Sequence, residues 1–344
     1  MNKRSSILIN SIVCTGIALL LTACGGSGGD SSSATTAPLS VAITDAPVDG
    51  ASEVVITVTG VTVQAGNGNR TTYPVNDPLT GEPGRAIDLL ALGGGKQIVL
   101  LDNVPIEYGH YSWIRLEVDL SYPDKAYIAF ESNPDAPYEL RCSSCAQSDL
   151  KLNRSFTVGE VCDTNGSNEP CGTSEAGVAF TIDFDLRKSI TDPQSGDHYK
   201  LRPTLRIVET ELAGNFTGMV DSNLIPGSST ISDDKNTGCS VYTFAGSGVV
   251  PDDIYLDDAG HTNPVTTADV KWNGTEFTYT AAFLVAGEYT AALTCDAGND
   301  KPEINDDNDG SDADPNNDVV FLDQQKVTVA IGVTTENVNF SQVP

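Results

Sequence analysis

The sequence predicts an all-β protein of two tandem antiparallel β-sandwich domains behind an N-terminal signal and a flexible tether. Short segments rich in Val, Ile, Thr, Tyr and Phe alternate in polarity, as strands with one buried face do. Gly, Pro, Asn and Asp separate these segments at regular intervals. Helical periodicity is scarce, and this combination is typical of sandwiches.

The N-terminus has the pattern of an export signal that ends at a cysteine. A basic start, an apolar run too short to span a membrane and small residues at the end are typical of secretory signals. The last four residues, Leu21-Thr-Ala-Cys24, resemble the lipobox of bacterial lipoproteins. That resemblance implies loss of residues 1–23 and a lipid anchor on Cys24. The alternative is an ordinary secretory signal with a chance cysteine.

Three features of the sequence predict where the protein lies and what it can bind. Gly25, after the anchor, is not the aspartate that typically retains lipoproteins in the inner membrane, so we expect the outer membrane, on its periplasmic or surface face. Residues 24–37 are rich in Gly and Ser and predict a flexible tether. With 47 Asp and Glu against 19 Lys and Arg, the net charge of −28 argues against nucleic acid as a partner.

The strand pattern divides the rest of the chain into two predicted domains, 38–212 and 213–344, each long enough for its own core. In the first domain, Phe180, Ile182 and Phe184 are predicted to face inward, while Asp183 and Asp185 face outward. A helical turn is predicted only at 86–92. The predicted strands are 54–63, 112–120, 180–186, 199–208, 216–221, 239–245, 268–272, 277–283, 287–294 and 326–338.

Several motifs of the first domain together resemble the bacterial domain-of-unknown-function family 4382. They include Leu39-Ser-Val-Ala-Ile-Thr-Asp-Ala-Pro47, Phe180-Thr-Ile-Asp-Phe-Asp-Leu-Arg-Lys-Ser189 and Tyr199-Lys-Leu-Arg-Pro-Thr-Leu-Arg206. The likeness covers about 38–212 and implies a β-sandwich lipoprotein module of undetermined activity. The second domain, through residues 277–293, is similar to carboxypeptidase-regulatory-like and transthyretin-like sandwiches. The implied folds are therefore immunoglobulin-like or prealbumin-like, with carbohydrate-binding modules among related folds.

Six cysteines follow the anchor, and outside the cytoplasm such cysteines favour disulfides over metal ligation. Cys239 and Cys295 lie in or beside two predicted strands, so they are the preferred pair. The pairing of the other four is left open, with a four-thiolate zinc site as the alternative. These four are Cys142, Cys145, Cys162 and Cys171.

The acidic segment 296–318 contains the sharpest candidate for a cofactor, which is calcium. Oxygen ligands at alternating positions, followed by a glycine, fit the first half of a calcium loop. The twelfth residue of such a loop, counted from Asn305, is Asn316, so the usual bidentate glutamate is missing. The alternative is a solvated acidic loop that binds no cation. The candidate ligands are Asn305, Asp307, Asp309, Ser311, Asp312 and Asp314.

Asp183 and Asp185 project to the same face of a strand, a spacing that suits acid-base work on a glycoside. Neighbouring segments supply several charged side chains, so a cross-strand charge ladder is the preferred interpretation. Its other members would be Arg115, Glu117, Asp119, Arg187, Lys200, Arg202 and Arg206. The aromatic residues offer a sugar-stacking platform as one hypothesis, and the alternative is that each is a core or edge residue. These are Tyr73, Trp113, Tyr122, Tyr127, Tyr138, Tyr255 and Trp272.

No motif declares a reaction, and the three histidines, His110, His198 and His261, fall beside turn residues without a convincing Ser or Cys partner. The sequence therefore predicts a non-enzyme that is attached to the membrane by its lipid. Its β-sandwich domains would bind a glycan, a matrix component or a protein, or would give structural support. The alternative is an envelope hydrolase that acts on polysaccharide or peptide.

Overall fold

The computed structural model describes residues 35–159, 177–192, 197–228, 236–257, 260–304 and 319–341. From Ala34 to the C-terminus the chain forms one compact unit. Strands dominate the described residues, and helical segments there are confined to five turns of three or four residues. The prediction of an all-β fold is confirmed.

The strands of the first half pair in two sheets. The strands are β1 Thr36–Ala46, β2 Ala51–Ala65, β3 Arg70–Pro74, β4 Arg85–Asp88, β5 Ile98–Glu107, β6 Gly109–Asp119, β7 Tyr127–Phe130, β8 Asn133–Arg141, β9 Leu150–Leu152, β10 Phe156–Val158, β11 Val178–Asp185, β12 Ile190–Thr191, β13 His198–Leu201 and β14 Leu205–Glu209. Sheet 1 has the order β14-β11-β1-β5. Sheet 2 has the order β10-β6-β2-β7-β8-β13-β12, with β3 and β4 also paired to β2 and β9 also paired to β6.

The second half forms sheet 3, with the order β20-β19-β16-β17-β18-β15-β21. Its edge strands β20 and β21 contact each other, so the sheet curves around its own core. The strands are β15 Ala213–Val220, β16 Asn236–Ala245, β17 Thr266–Trp272, β18 Phe277–Val285, β19 Gly287–Thr294, β20 Phe321–Val329 and β21 Thr334–Thr335. The α-helical turns are α1 Cys145–Ser148 and α2 Leu186–Ser189, and the 3-10 turns are Leu89–Leu92, Thr210–Leu212 and Ser222–Leu224.

Most strand pairs are antiparallel, as predicted, but three pairs are parallel: β1 with β11, β8 with β13 and β15 with β21. Because β11 lies between β1 and β14, it is a central strand of sheet 1. The first core lies between sheets 1 and 2, and the curved sheet 3 encloses the second. Fully buried members of the two cores are Leu39, Ile43, Ile56, Ile114, Phe180 and Phe184, and Phe216, Val241, Leu284 and Leu293.

Three predicted segments differ from the structure. The predicted strand 199–208 is interrupted by Pro203, because proline has no N–H to donate to a sheet ladder. The predicted strand 326–338 ends at Val329, where a turn with Gly332 at φ +66° begins. The helical turn predicted at 86–92 is half strand and half helix. Its helical part begins after Asp88, whose carboxylate accepts a hydrogen bond from the Leu90 N–H.

The two halves pack together through an interface that we call the junction. It is formed by β1 with residues 47–49, β11, β14 and α2 on one side and by β16, β17, β18 and the segment 295–304 on the other. This packing corrects one prediction. Thr181, Asp183 and Asp185 alternate with apolar residues as expected, but they are buried rather than solvent-facing. The polar face of β11 is covered by the second half of the chain. The apolar side chains of β11 therefore lie in the first core, and its polar side chains lie in the junction.

Candidate functional site

Two disulfides lie within the described residues, as expected for the cysteines of an exported protein. Cys239 bonds Cys295 and Cys142 bonds Cys145. The preferred pairing is confirmed, and the bond within Cys142-Ser-Ser-Cys145 removes these two thiolates from any zinc site. Cys162 and Cys171 lie outside the described residues, as do Cys24 and the six candidate calcium ligands.

The charge ladder predicted around Asp183 is present only in part. Arg206 lies directly opposite Asp183 across β11 and β14, and its Nη2 donates to Asp183 Oδ2 at 2.5 Å. Asp185 instead pairs with Lys188, with Nζ and Oδ2 2.7 Å apart. The remaining charges lie elsewhere. Arg115 and Glu117 pair on sheet 2, and Arg202 pairs with Asp257 at 3.5 Å.

Arg187 is the central cation of the junction, and only 2% of its side chain is exposed. Its guanidinium donates to the Asp49 carboxylate, to the Ala297 carbonyl at 2.7 Å and to Ser240 Oγ at 3.0 Å. It also lies 3.8 Å from Asp269 Oδ1. Burial alone would lower the pKa of Arg187, but the adjacent carboxylates outweigh it and raise that pKa, so the buried cation stays charged.

Several carboxyl groups of the junction have raised pKa values. Burial, and then the charges of Asp183 and Asp185, raise the pKa of Asp45 well above its usual value. Burial and then Asp49 raise that of Asp269 to about 6, although Arg187 opposes the shift. Both shifts therefore follow from burial and from neighbouring carboxylates inside the protein, and Arg187 and Lys271 partly offset the shift at Asp269.

Asp300 is bonded to a small buried cluster of the second half that includes Tyr242 and Ile254. Its carboxylate accepts from the Tyr242 hydroxyl at 2.5 Å and from the Ile254 N–H at 3.1 Å. Burial raises the pKa of Asp300 to about 7, although these two hydrogen bonds oppose the shift. It borders a crevice of about 190 Å³ that Arg187 and Glu303 also line.

This shift predicts an unusual pH dependence of stability. The folded protein holds the Asp300 proton up to about pH 7, whereas the unfolded chain releases it near 3.8. Between those values folding takes up a proton, so the contribution of Asp300 is full below pH 3.8 and is lost as the pH rises through 7. We expect Asp300→Asn to flatten this fall, measured by urea unfolding across that range. An unchanged slope would contradict the assignment.

His261 forms a cluster with two acids that sequence reasoning did not detect. Its Nε2 lies 2.9 Å from the Asp253 carbonyl oxygen, 3.1 Å from Asp253 Oδ1 and 3.7 Å from Asp252 Oδ2. Side-chain atoms this close could hold a cation. A hydrogen bond donated by Nε2 to the carbonyl accounts for the same geometry, so we assign no metal here.

The aromatic residues predicted to form one platform are dispersed. Tyr138 packs with Phe130 and Tyr199. Trp272 packs on Phe277, and Tyr255 meets the His261 ring edge-on. The hydroxyls of Tyr73, Tyr122 and Tyr127 bond Pro105 O, Pro137 O and Glu53. Trp113 is only 7% exposed and therefore offers no free face to a sugar ring.

Three open grooves surround the loop that the Cys142–Cys145 disulfide closes. Their volumes are about 470, 540 and 500 Å³, within the roughly 300–1,000 Å³ range of ligand sites. Arg141 borders the first two, and Lys200 and Arg202 line the second. The third groove lies between β9 and β14. Its lining includes Ser148, Lys151, Asn153, Arg154, Leu205 and Ile207.

A cationic cluster, made of Arg70, Trp113, Arg115 and Lys151, adjoins the third groove. Register builds it. Arg70, Gln64 and Trp113 are partners across β3, β2 and β6, and Arg115 is the partner of Lys151 across β6 and β9. Residues two apart on a strand share a face, so these side chains project together. The three cations lie 5.3, 5.5 and 5.0 Å from the centroid of the Trp113 ring.

Comparison with known families finds a match in the first half of the chain. Residues 36–203 match the family described as Domain of unknown function (DUF4382). This span agrees with the resemblance drawn from the motifs. The family description names no activity, and no curated protein matches the chain.

Two solved structures have distant similarity. The minor pilin of Streptococcus agalactiae is 8% identical, over 89% of this chain and 96% of the pilin, with a TM-score of 0.19. The Bacillus anthracis TIE protein is 9% identical, over 88% of this chain and 34% of its own, with a TM-score of 0.16. TM-scores this low carry no functional argument. Among the described residues, no helix has the length and apolarity that a membrane crossing requires.

Proposed function

We propose that this protein is a non-catalytic lipoprotein of the cell envelope whose β-rich body binds a glycan, a matrix component or a protein partner. The observation that carries the proposal is the set of three open grooves that meet at residues 141–149. They have the size of ligand sites, and the disulfide and short turn between them fix their walls.

The positions of the buried carboxyl groups do not suit the alternative function, an envelope hydrolase. Asp300 reaches only the crevice of about 190 Å³, below the roughly 300 Å³ at which ligand sites begin. Burial and a hydrogen bond with Glu117 raise the pKa of Asp149 on the groove wall. A pair in direct hydrogen-bond contact leaves no room for a glycoside, whose hydrolysis needs carboxyl groups about 5–9.5 Å apart.

We propose that a lipid at the N-terminus attaches the protein to the membrane. Cys24 would carry the lipid, residues 25–34 would form the spacer, and the outer membrane would be the location. β1 begins at Thr36, so the last two residues of the predicted tether belong to a strand. The half from residue 213 would be a carboxypeptidase-regulatory-like module, with calcium held by its acidic loop. Labelled palmitate should enter the wild-type protein and not Cys24→Ala, whereas label in the variant would contradict lipidation at this residue.

A binding screen tests the function. The purified, oxidised protein is applied to a glycan array and to envelope extracts, with and without calcium. We expect retention of a defined glycan or envelope component and no release of products. Absence of binding in both screens would contradict the binding function, and product release would favour the hydrolase.

A further inference from the structure

The cationic cluster is a local reversal of charge in an acidic protein. The chain carries a net charge of −28, yet neither Arg70 nor Lys151 forms an ion pair with a carboxylate of the described residues. Arg115 pairs with Glu117, with Nη2 2.5 Å from Oε1, and its Nε lies 3.9 Å from Asp149 Oδ2. Arg70 donates from Nε to the neutral amide oxygen of Gln64 at 3.0 Å. Among the described residues, Arg70 and Lys151 are therefore two positive charges without an ion-pair partner, and both side chains are exposed.

The arrangement costs stability. Arg115 and Lys151 lie directly opposite each other across β6 and β9, and like charges in that position are destabilising. Contact with the indole ring offsets part of the repulsion, since cations are attracted to the face of tryptophan. Because every cation lies within 5.5 Å of one ring centroid, no two are farther apart than twice that distance. Trp113 thus positions the charges close together.

We propose that the cationic cluster binds the carboxylate groups of an acidic polysaccharide and that the third groove holds the adjoining sugar units. This inference rests on the proposed binding function and names its ligand class. Arg70 presents a planar fork that matches a carboxylate, and Lys151 adds a point charge.

The third groove supplies what the rest of a sugar unit requires. Lys151 belongs both to the cluster and to the groove wall, so the two surfaces are continuous. Ser148 and Asn153 provide neutral hydrogen-bonding groups for hydroxyls, and Leu205 and Ile207 provide apolar contact for a ring face. Arg154, at the end of the groove, is already paired with Glu209 at 2.9 Å.

The test is calorimetric titration with polygalacturonate oligomers, with neutral dextran and anionic vesicles titrated in parallel. We expect binding to the carboxylated polymer only, weakened by salt because exposed charges are screened. The double variant Arg70→Gln and Lys151→Gln should bind at least about tenfold more weakly, since hydrogen bonds to charged groups are each worth that much. The matched control, Lys125→Gln and Lys326→Gln, removes the same charge from other surfaces and should change affinity less than about twofold.

Thermal unfolding separates binding from folding. The double variant should unfold at the wild-type temperature or above, because it relieves the repulsion at Arg115. Binding by wild type that the double variant retains would overturn the inference and leave the proposed function intact. Preference for neutral glycans or vesicles would also overturn it. Absence of any ligand in the array, the extracts and this titration would defeat the proposed function as well.

Discussion

Replacing Arg187 with methionine is expected to lower the free energy of unfolding by about 3–5 kcal/mol. The substitution keeps an apolar stem but removes the guanidinium that lies against the carboxylates of Asp49 and Asp269 in the junction. Lys271, whose Nζ lies 3.8 Å from Asp269 Oδ2, stays in place. The substitution also removes the guanidinium from above the Tyr242 ring, 5.6 Å away. Equilibrium urea unfolding measures the change.

Two further variants make the Arg187 prediction specific. Arg154→Met breaks a pair whose arginine is 50% exposed, and it should cost at most about 1 kcal/mol. Adding Asp49→Asn and Asp269→Asn to Arg187→Met should recover part of the loss, because it removes the negative charges that Arg187 balances in the wild type. A loss below about 1 kcal/mol in the single variant would contradict the role given to Arg187.

Removing the Cys239–Cys295 disulfide, by Cys239→Ala with Cys295→Ala, is expected to cost about 4 kcal/mol. The bond spans 56 residues, and the entropy that a crosslink removes from the unfolded chain grows with the closed loop. It also joins the ends of β16 and β19, where Ser240 and Thr294 are register partners. Urea unfolding of the double variant is the measurement.

The second disulfide provides the matched comparison. Cys142 and Cys145 are three residues apart, so their loop is short and the same relation gives less than about 2 kcal/mol for their removal. Each double variant replaces two disulfide-bonded cysteines with alanine, and the two variants differ chiefly in the length of the loop that the lost disulfide closed. Equal losses, or a larger loss at Cys142 and Cys145, would be inconsistent with the stabilising role of the longer loop.

Strand positions were predictable because side-chain alternation is a local property. The pattern from Phe180 to Leu186 correctly located β11 and its apolar face. It could not identify what covers the other face, since that depends on residues far along the chain. One is Phe283, whose carbonyl accepts a hydrogen bond from the Arg206 that pairs with Asp183. Asp183 and Asp185 were accordingly expected at the surface and lie inside.

The candidate site was less predictable. Trp113 and Arg115, two apart on one strand, gave a signal that they share a face, but Arg70 and Lys151 join them only through the register of β3 and β9. His261 meets Asp252 and Asp253 through a loop closure that has no periodic pattern. In contrast, Cys239 and Cys295 could be paired from the sequence, because both were placed beside predicted strands of one sheet.

The most direct test of non-catalytic binding is the length of a bound polymer. The protein is incubated with polygalacturonate, or with the polymer it retains best from the array, and the mixture is analysed by size-exclusion chromatography with light scattering. We predict that the protein elutes with the polymer and that the polymer mass stays unchanged. A progressive fall in polymer mass, absent from a heat-denatured control, would contradict the account and identify a hydrolase.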